Sequence, residues 1–384
     1  MGDPRKPVLR RRMLLGLLAS PLTLRSGYAG SAESSRKPSS ARITDHKTRI
    51  TPLAQVLPGY PMRFPADEGS HPAFRTEWWY VTGWLEPAGS APIGFQITFF
   101  RTRPDIDENN PSAFTPRQIM IAHAAISDAR RGRLLHDQHV VRAAFQLAGA
   151  EEGRTHVWLD NWSLVQDEAV YRARIPARDF SLDLACVPTQ PPLSQGDEGV
   201  SRKGPRAESA SYYYSIPHLK VTGSVVDAGR PFRVSGEAWL DHEWSSTYMD
   251  ERAAGWDWIG INFDDGGALM AFRMRDRAGN KFWAGGAYRD GAGVRVAFSP
   301  DDIEFLPTRV WQSPRTGVIY PVAWRVRAGT IEVTLEPLMD DQESDTRRSV
   351  GTVYWEGAVR AVREQKPVGR GYLELTGYSQ PLRL

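Results

Sequence analysis

Asp241, His242 and Glu243 are consecutive titratable residues between Trp239 and Trp244 in the stretch EAWLDHEWSSTY. An acid, an imidazole and a second acid among indoles could ligate a metal, form a hydrolytic triad, donate a proton in an apolar pocket, or mark a polar strand edge. A zinc-binding helix would need a second histidine where HEWSS has Ser246, and no spacing recruits His71, His123 or His218 as further ligands. No metal and no other cofactor is therefore expected. A serine hydrolase fits no better, because G-x-S-x-G is absent and Ser245 sits on no nucleophile elbow. The acid in an apolar cavity has a definite chemistry. Burial among indoles disfavours the ionised carboxyl, so it stays protonated near neutral pH. It can then protonate an alkene or a leaving group. Aromatic faces stabilise the resulting cation, and a neighbouring carboxylate or imidazole activates water. On this reading Asp241 is the proton donor, and His242 or Glu243 positions or tunes the water. The alternative is a hydrogen-bonded polar cluster closing the end of a barrel.

Two other stretches carry the same pair of readings. In FRTEWWYVTGWL, strand alternation puts Glu77, Trp79 and Val81 on one face and Trp78, Tyr80 and Thr82 on the other. These side chains either pack a core or wall a ligand cavity. IMIAHAAISD sets His123 and Asp128 beside small residues, as a satisfied core histidine or a ligand contact. The same alternation places Trp239, Asp241 and Glu243 on one face and Leu240, His242 and Trp244 on the other. The three polar groups of the central motif converge only if a bulge re-aims one of them.

The elements that must hold these residues read as strands. GFQITFFR and WDWIGINF are rich in aromatic and β-branched residues, and AWRVRAGTIEVTLEPL alternates cleanly between apolar and polar. Turn clusters such as FDDGGA, RDRAGN and YRDGAG separate them. No long amphipathic helix is evident. Residues 190–210 form one long interruption of low apolarity, a loop or a lid. A faint repeat links EWWYVTGWLEP…GFQITFFR with WDWIGINFDDGGALMAFRMR, and GEAWLDHEW with GYLELTGYS. Two similar β units would suit two barrels, since closure removes sheet edges. Matched by letter, Asp241, His242 and Glu243 fall opposite Leu375, Thr376 and Gly377. Acid chemistry is then expected in the first unit alone, or at its junction with the second.

Bulk composition agrees. The 384 residues are 41% hydrophobic and 24% charged, with 13 Trp, 13 Tyr and 14 Phe, as suits a globular all-β chain. Six basic residues against Asp3 in positions 1–29 account for the net +3, leaving −2 over the remainder and no nucleic-acid footprint. That N-terminus, with LRRRM before the apolar run Met13 to Leu24, reads as an export signal, twin-arginine-like, over residues 1–30. Residues 31–55 read as a disordered tether, 56–248 as a first barrel and 249–384 as a second. Cys186 is the only cysteine, which excludes an intramolecular disulfide.

HPAFRTEWWYVTGWL, IAHAAISD, PPLSQGDEGVSRKGPRAESASYYYSIPHLKVTGSV and GEAWLDHEWSS together resemble the carotenoid 1,2-hydratase/AttH family of lipocalin-like proteins, from about Phe64 to the C-terminus. The resemblance implies two successive lipocalin-like antiparallel β-barrels. It also implies chemistry on apolar, isoprenoid- or lipid-like molecules, or a predicted exported hydrolase. The family's D-H-x-W segment falls on Asp241, His242, Glu243 and Trp244, and its E-W-W-Y segment on Glu77, Trp78, Trp79 and Tyr80. Trp256, Asp257 and Trp258 stand where the second unit begins and are expected to line the junction, with His123 also in the substrate-binding set. The loop with Gln195, Gly196, Gly199, Ser201, Lys203 and Gly204 is present in full, which implies more than a linking role. The export signal departs from a pigment enzyme of the cytoplasmic side. Expected partners are a hydrophobic small molecule, an ABC transporter permease and a membrane surface touched peripherally. The rival expectation is a non-catalytic periplasmic carrier of the same molecule.

Overall fold

The computed structural model describes residues 50–107 and 109–382. The expected export signal at 1–30 and most of the expected tether at 31–55 lie outside these residues. Among the described residues there is no α-helix, only the 3-10 turns Ala66–Glu68 and Pro300–Asp302.

The first sheet begins with β1 (Thr76–Pro87), β2 (Ile93–Thr102), β3 (Ile119–Ser127) and β4 (Leu135–Arg142). It continues with β5 (Ala148–Ala150), β6 (His156–Leu159), β7 (Trp162–Asp167), β8 (Val170–Pro176) and β9 (Phe180–Pro188). Short β10 (Leu193–Ser194) and β11 (Val200–Arg202) precede the long β12 (Ala210–Asp227) and β13 (Arg230–Thr247). The second sheet holds β14 (Gly255–Phe263), β15 (Ala268–Arg275), β16 (Lys281–Arg289), β17 (Arg295–Phe298) and β18 (Ile303–Gln312). It ends with β19 (Ile319–Ala328), β20 (Ile331–Pro337), β21 (Glu343–Asp345), β22 (Val353–Arg363) and β23 (Lys366–Leu375).

Each sheet pairs its first strand with its last: β1 with β13, and β14 with β23. The first sheet then curls until β3 and β4 meet β6, and the second until β15 and β16 meet β18, giving two nearly closed antiparallel barrels. Alternation dictates what each strand buries. In β1, Trp79, Val81 and Leu85 fill the first barrel, while Tyr80 and Trp84 point outward. The outward face is also buried, because the second barrel covers it. Tyr80, Trp84, Tyr213 and Trp239 pack there against Trp258, Met270, Phe272 and Tyr372. Each such large apolar side chain contributes roughly 1.5–3 kcal/mol by leaving water. The barrels approach closely at Gly94. A Cβ there would lie 2.6 Å from Ala358 Cβ and 2.9 Å from the Tyr372 hydroxyl. The Trp84 indole donates across the interface to the Gly371 carbonyl at 3.1 Å.

Pairing registers expose the repeat in three dimensions. Glu77 lies opposite Arg101 and Trp244, and Trp78 opposite Phe100 and Glu243. In the second barrel Asp257 lies opposite Arg273 and Leu375, and Trp258 opposite Phe272 and Glu374. The counterpart of Glu243 is therefore Glu374, and that of Asp241 is Tyr372. The letter-matched alignment to Leu375, Thr376 and Gly377 is corrected by this register, and the second barrel does contribute an acid to the junction.

Candidate active site

β13 carries the central motif, and its alternation sends neighbouring side chains to opposite sides of one sheet. Asp241 and Glu243 face the second barrel and line a cavity of about 290 Å³ between the two barrels. His242 points into the first barrel instead. It is fully buried, stacked on Trp79 with ring centroids 4.7 Å apart. Its Nε2 meets Glu77 Oε1 at 3.0 Å and its Nδ1 the Tyr214 hydroxyl at 3.2 Å. No bulge re-aims it, so the structure brings together two of the three expected catalytic residues and leaves His242 behind them.

His242 belongs to a second polar cluster built on Glu77. Arg101 Nε donates to Glu77 Oε2 at 2.8 Å with both side chains fully buried. His71 Nδ1 meets Glu77 Oε1 at 2.7 Å, and His71 Nε2 meets Asp67 at 3.3 Å. Burial alone would raise the Glu77 carboxyl, but Arg101, His242 and His71 reverse this and hold it well below the ordinary carboxylate range. Burial lowers His242 despite the Glu77 carboxylate, whereas Asp67 and Glu77 overcome burial at His71 and raise it. His71, Glu77 and His242 offer ligand atoms within 4.8 Å of one another. The Arg101 guanidinium on the carboxylate and a partner on each of the four ring nitrogens already engage this set.

Of the other expected contact residues, Trp78, Tyr80, His123, Trp256 and Trp258 do line the cavity, with Glu77 at its edge. Trp79, Trp244 and Asp257 do not. Trp79 and Trp244 pack inside the first barrel, where Trp244 stacks on His71 at 3.8 Å. Asp257 lies inside the second barrel, bound to Arg273 Nε at 2.6 Å, Arg275 Nε at 3.1 Å and the Tyr378 hydroxyl at 2.9 Å. All three occupy the strand face opposite to the one that meets the cavity. His123 bridges to the second barrel, its Nδ1 at 2.9 Å from the Tyr354 hydroxyl and its Nε2 at 2.8 Å from Ser349 Oγ. Burial, with some help from His136, pushes it down to about 3, so it is a neutral imidazole.

Asp241 is 3% exposed and accepts hydrogen bonds from Tyr213 (2.7 Å), Ser215 (2.5 Å) and the Trp239 indole (2.7 Å). Those donors are oriented from behind: Trp258 Nε1 donates to the Tyr213 oxygen at 3.0 Å, and Gln195 Nε2 to Ser215 Oγ at 2.8 Å. Burial raises the Asp241 carboxyl to about 7; the three donors oppose this and the neighbouring Glu243 adds to it. Glu243 differs because it has a counter-ion, Lys203 Nζ at 2.8 Å, and accepts from the Ser211 hydroxyl.

Tyr213, Glu356 and Glu374 were not among the sequence candidates, yet all line the cavity. A signal for them existed. Glu356 in VYWEGAV and Glu374 in GYLELTG are acids inside otherwise apolar strands, the same anomaly that made Asp241 conspicuous.

The 190–210 segment proves to be a strap across both barrels rather than a free lid. β10 and β11 pair with β12 of the first barrel. From the second, Arg289 donates to the Pro191 carbonyl at 2.8 Å, Arg295 to Ser194 at 3.0 Å, and the Trp283 indole to Arg202 at 2.8 Å. The strap inserts Lys203, 1% exposed, among the rings of Phe272 (4.3 Å), Tyr213 (4.9 Å) and Tyr248 (5.2 Å). Burial lowers the Lys203 ammonium and raises the Glu243 carboxyl, each against the pull of its partner. Lys203→Met should therefore destabilise the chain by about 1–3 kcal/mol at pH 8, where Glu243 loses its counter-ion. The loss should shrink at pH 5, where Glu243 can hold a proton. Urea unfolding at both pH values measures it, and an equal loss at both would contradict the electrostatic assignment.

A second cavity of about 510 Å³ opens on the other side of the Trp239 and Trp84 layer. Its rim is charged and partly ion-paired, as in Arg370–Glu86 at 2.6 Å, and it lacks the buried carboxyls of the first.

The AttH-like family model matches residues 55–378. A crystal structure of a Nitrosomonas europaea protein assigned to AttH superposes with a TM-score of 0.80 at 52% identity, covering 85% of this chain and all of that one. Kievitone hydratase from Nectria haematococca superposes with a TM-score of 0.63 at 15% identity, over 87% of this chain and 98% of its own, and so shares the fold. No curated protein sequence matches the chain at a significant level. With the match running through both barrels, the chain belongs to the AttH-like family.

Proposed function

We propose that this protein is a hydratase-type acid–base catalyst that adds water to an apolar, unsaturated, isoprenoid- or lipid-like substrate held between its barrels. The observation that carries this reading is Asp241, a carboxyl raised to about 7 in a cavity walled by Trp78, Trp258 and Tyr213. The steps follow from the residues present. Asp241 transfers its proton to one alkene carbon, forming a C–H bond and leaving a cation on the other carbon. The indole faces stabilise that cation through their quadrupoles. Water attacks it, forming the C–O bond and passing its surplus proton to Glu243, whose Lys203 partner favours the carboxylate beforehand. Proton return to Asp241 closes the cycle, and the net change is one water added across one double bond. Kievitone hydratase, a hydratase by name, has the same fold, which supports the reaction class. The LRRRM signal supports export, and hence a periplasmic or secreted site of action.

The test is incubation of the full chain with isoprenoid alkenes in H₂¹⁸O, with mass spectrometry of the products. Incorporation of one labelled oxygen is expected. The general acid must be protonated, so turnover should be present below about pH 7 and fall as pH rises through the Asp241 value. Activity that instead increased steadily from pH 6 to 9 would rule out Asp241 as the acid. Recovery of a tightly held, chemically unchanged lipid with no labelled product would mark a carrier, working with a transporter permease.

A further inference from the structure

The second barrel's wall of the cavity carries a pair of acids that water addition by Asp241 does not use. Glu356 and Glu374 are direct cross-strand neighbours on β22 and β23, and both reach the cavity. Carboxylates directly opposite each other repel. Three other buried acids have cations beside them: Arg101 for Glu77, Lys203 for Glu243, Arg273 and Arg275 for Asp257. Among the described residues, Glu356 and Glu374 form no ion pair. Glu374 accepts from the Trp256 indole at 3.2 Å. Glu356 is 4% exposed, and neither its Oε1 nor the Tyr80 hydroxyl that faces it from the first barrel's wall makes a close hydrogen bond. Leaving such groups unsatisfied costs about 1–3 kcal/mol each, which a ligand bearing donors would recover.

The geometry points to a binding site for an organic ammonium ion with an apolar body, its N–H groups on Glu356 and Glu374 and its carbon skeleton against Trp78, Trp256 and Trp258. This goes beyond the water-addition reading and does not depend on it. A neutral alcohol would satisfy Glu356 Oε1 but leave the acid pair without counter-charge. An anionic head would face Asp241 and Glu243 as well as the pair, with Lys203 already engaged by Glu243. A cation meets carboxyls on both walls and the negative faces of the indoles. The other titratable groups facing the pair are hydroxyls (Tyr80, Tyr354 and Tyr372) and the neutral His123 behind Tyr354. None of them supplies a positive charge. Burial raises both acids, Glu374 to about 7 and Glu356 well above the ordinary range, where the Glu374 charge adds to burial, so below pH 7 both hold a proton. Below pH 7, entry of R–NH₃⁺ breaks one carboxyl O–H bond and sends that proton to solvent, leaving the cavity's net charge unchanged; at pH 8 the Glu374 carboxylate receives the cation without that step.

Calorimetric titration of the full chain with cyclohexylmethylammonium chloride and with cyclohexylmethanol, of matched size and shape, isolates the charge. At pH 8 the ammonium ion should bind about tenfold tighter or more. Its affinity should fall as pH is lowered through 7, while that of the alcohol stays level. Glu356→Gln should retain alcohol binding, which also reports an intact fold, and reduce the ammonium affinity to the alcohol's level. Equal affinities in the unmodified protein would overturn the site, and so would a charge preference that survives in both Glu356→Gln and Glu374→Gln. Ammonium preference without water addition keeps this site and removes the hydratase reading. Water addition without ammonium preference does the reverse.

Discussion

Asp241→Asn is expected to lower turnover by about 10²–10⁴-fold, the range a positioned general acid contributes, while the protein stays folded. The amide is isosteric and still accepts from Trp239 and Ser215 through one oxygen. Its nitrogen would face the Tyr213 hydroxyl, which accepts as well as donates, so the hydrogen-bonded frame can persist. What the amide lacks is a transferable proton. The check is kcat alongside an unfolding curve. Retained turnover with an unchanged curve would remove Asp241 from the chemistry, and a carrier would show the same indifference to this substitution. Replacing Trp258 or Trp78 would not separate the two readings, because both need the walls.

The largest loss of stability should come from Arg101→Leu, about 3–5 kcal/mol, typical of a buried charge stripped of its partner. Arg101 is fully buried, and besides Glu77 it donates to the carbonyls of His71 (2.8 Å) and Phe74 (3.1 Å). Its removal takes the fixed positive charge from the Glu77 carboxylate, leaving it His71, His242 and Ser70, and frees the segment leading into β1. Adding Glu77→Leu should recover part of the loss, because the stranded charge goes with it. Guanidinium unfolding of the two single variants and the double variant measures the coupling. A loss below about 1 kcal/mol for Arg101→Leu would mean that the pair contributes little. The experiment also probes the site indirectly, because His242 and Glu77 brace the strand whose other face presents Asp241.

Much of this was legible in the residues. Alternation along LDHEW predicts that Asp241 and Glu243 share a face and that His242 does not, and the barrel obeys, because successive strand side chains cannot point the same way without a bulge. Aromatic strands, turn clusters and the repeat indicate two all-β units. The family motifs indicate lipocalin-like barrels, and the family match agrees. The export signal falls outside the described residues and stands as a proposal.

Other features depend on contacts between distant strands. A run such as EWWY or WDW specifies two faces without saying which one fills a barrel and which meets another barrel. Trp79, Trp244 and Asp257 went to the interiors, while Trp78, Trp256 and Trp258 went to the cavity. Register has the same character. Matching LDHE to LTG by letter is three residues off the pairing that sets Glu374 opposite Trp258 as Glu243 is opposite Trp78. An odd shift exchanges the two faces of a strand, so it conceals the acids that share the cavity. By itself the sequence determined the strands, their two faces and the candidate acid Asp241, because these follow from local alternation. Only the tertiary structure decided that Asp241 meets Glu356 and Glu374 across a barrel junction, because that meeting depends on strand register and on barrel packing, which join residues more than a hundred positions apart.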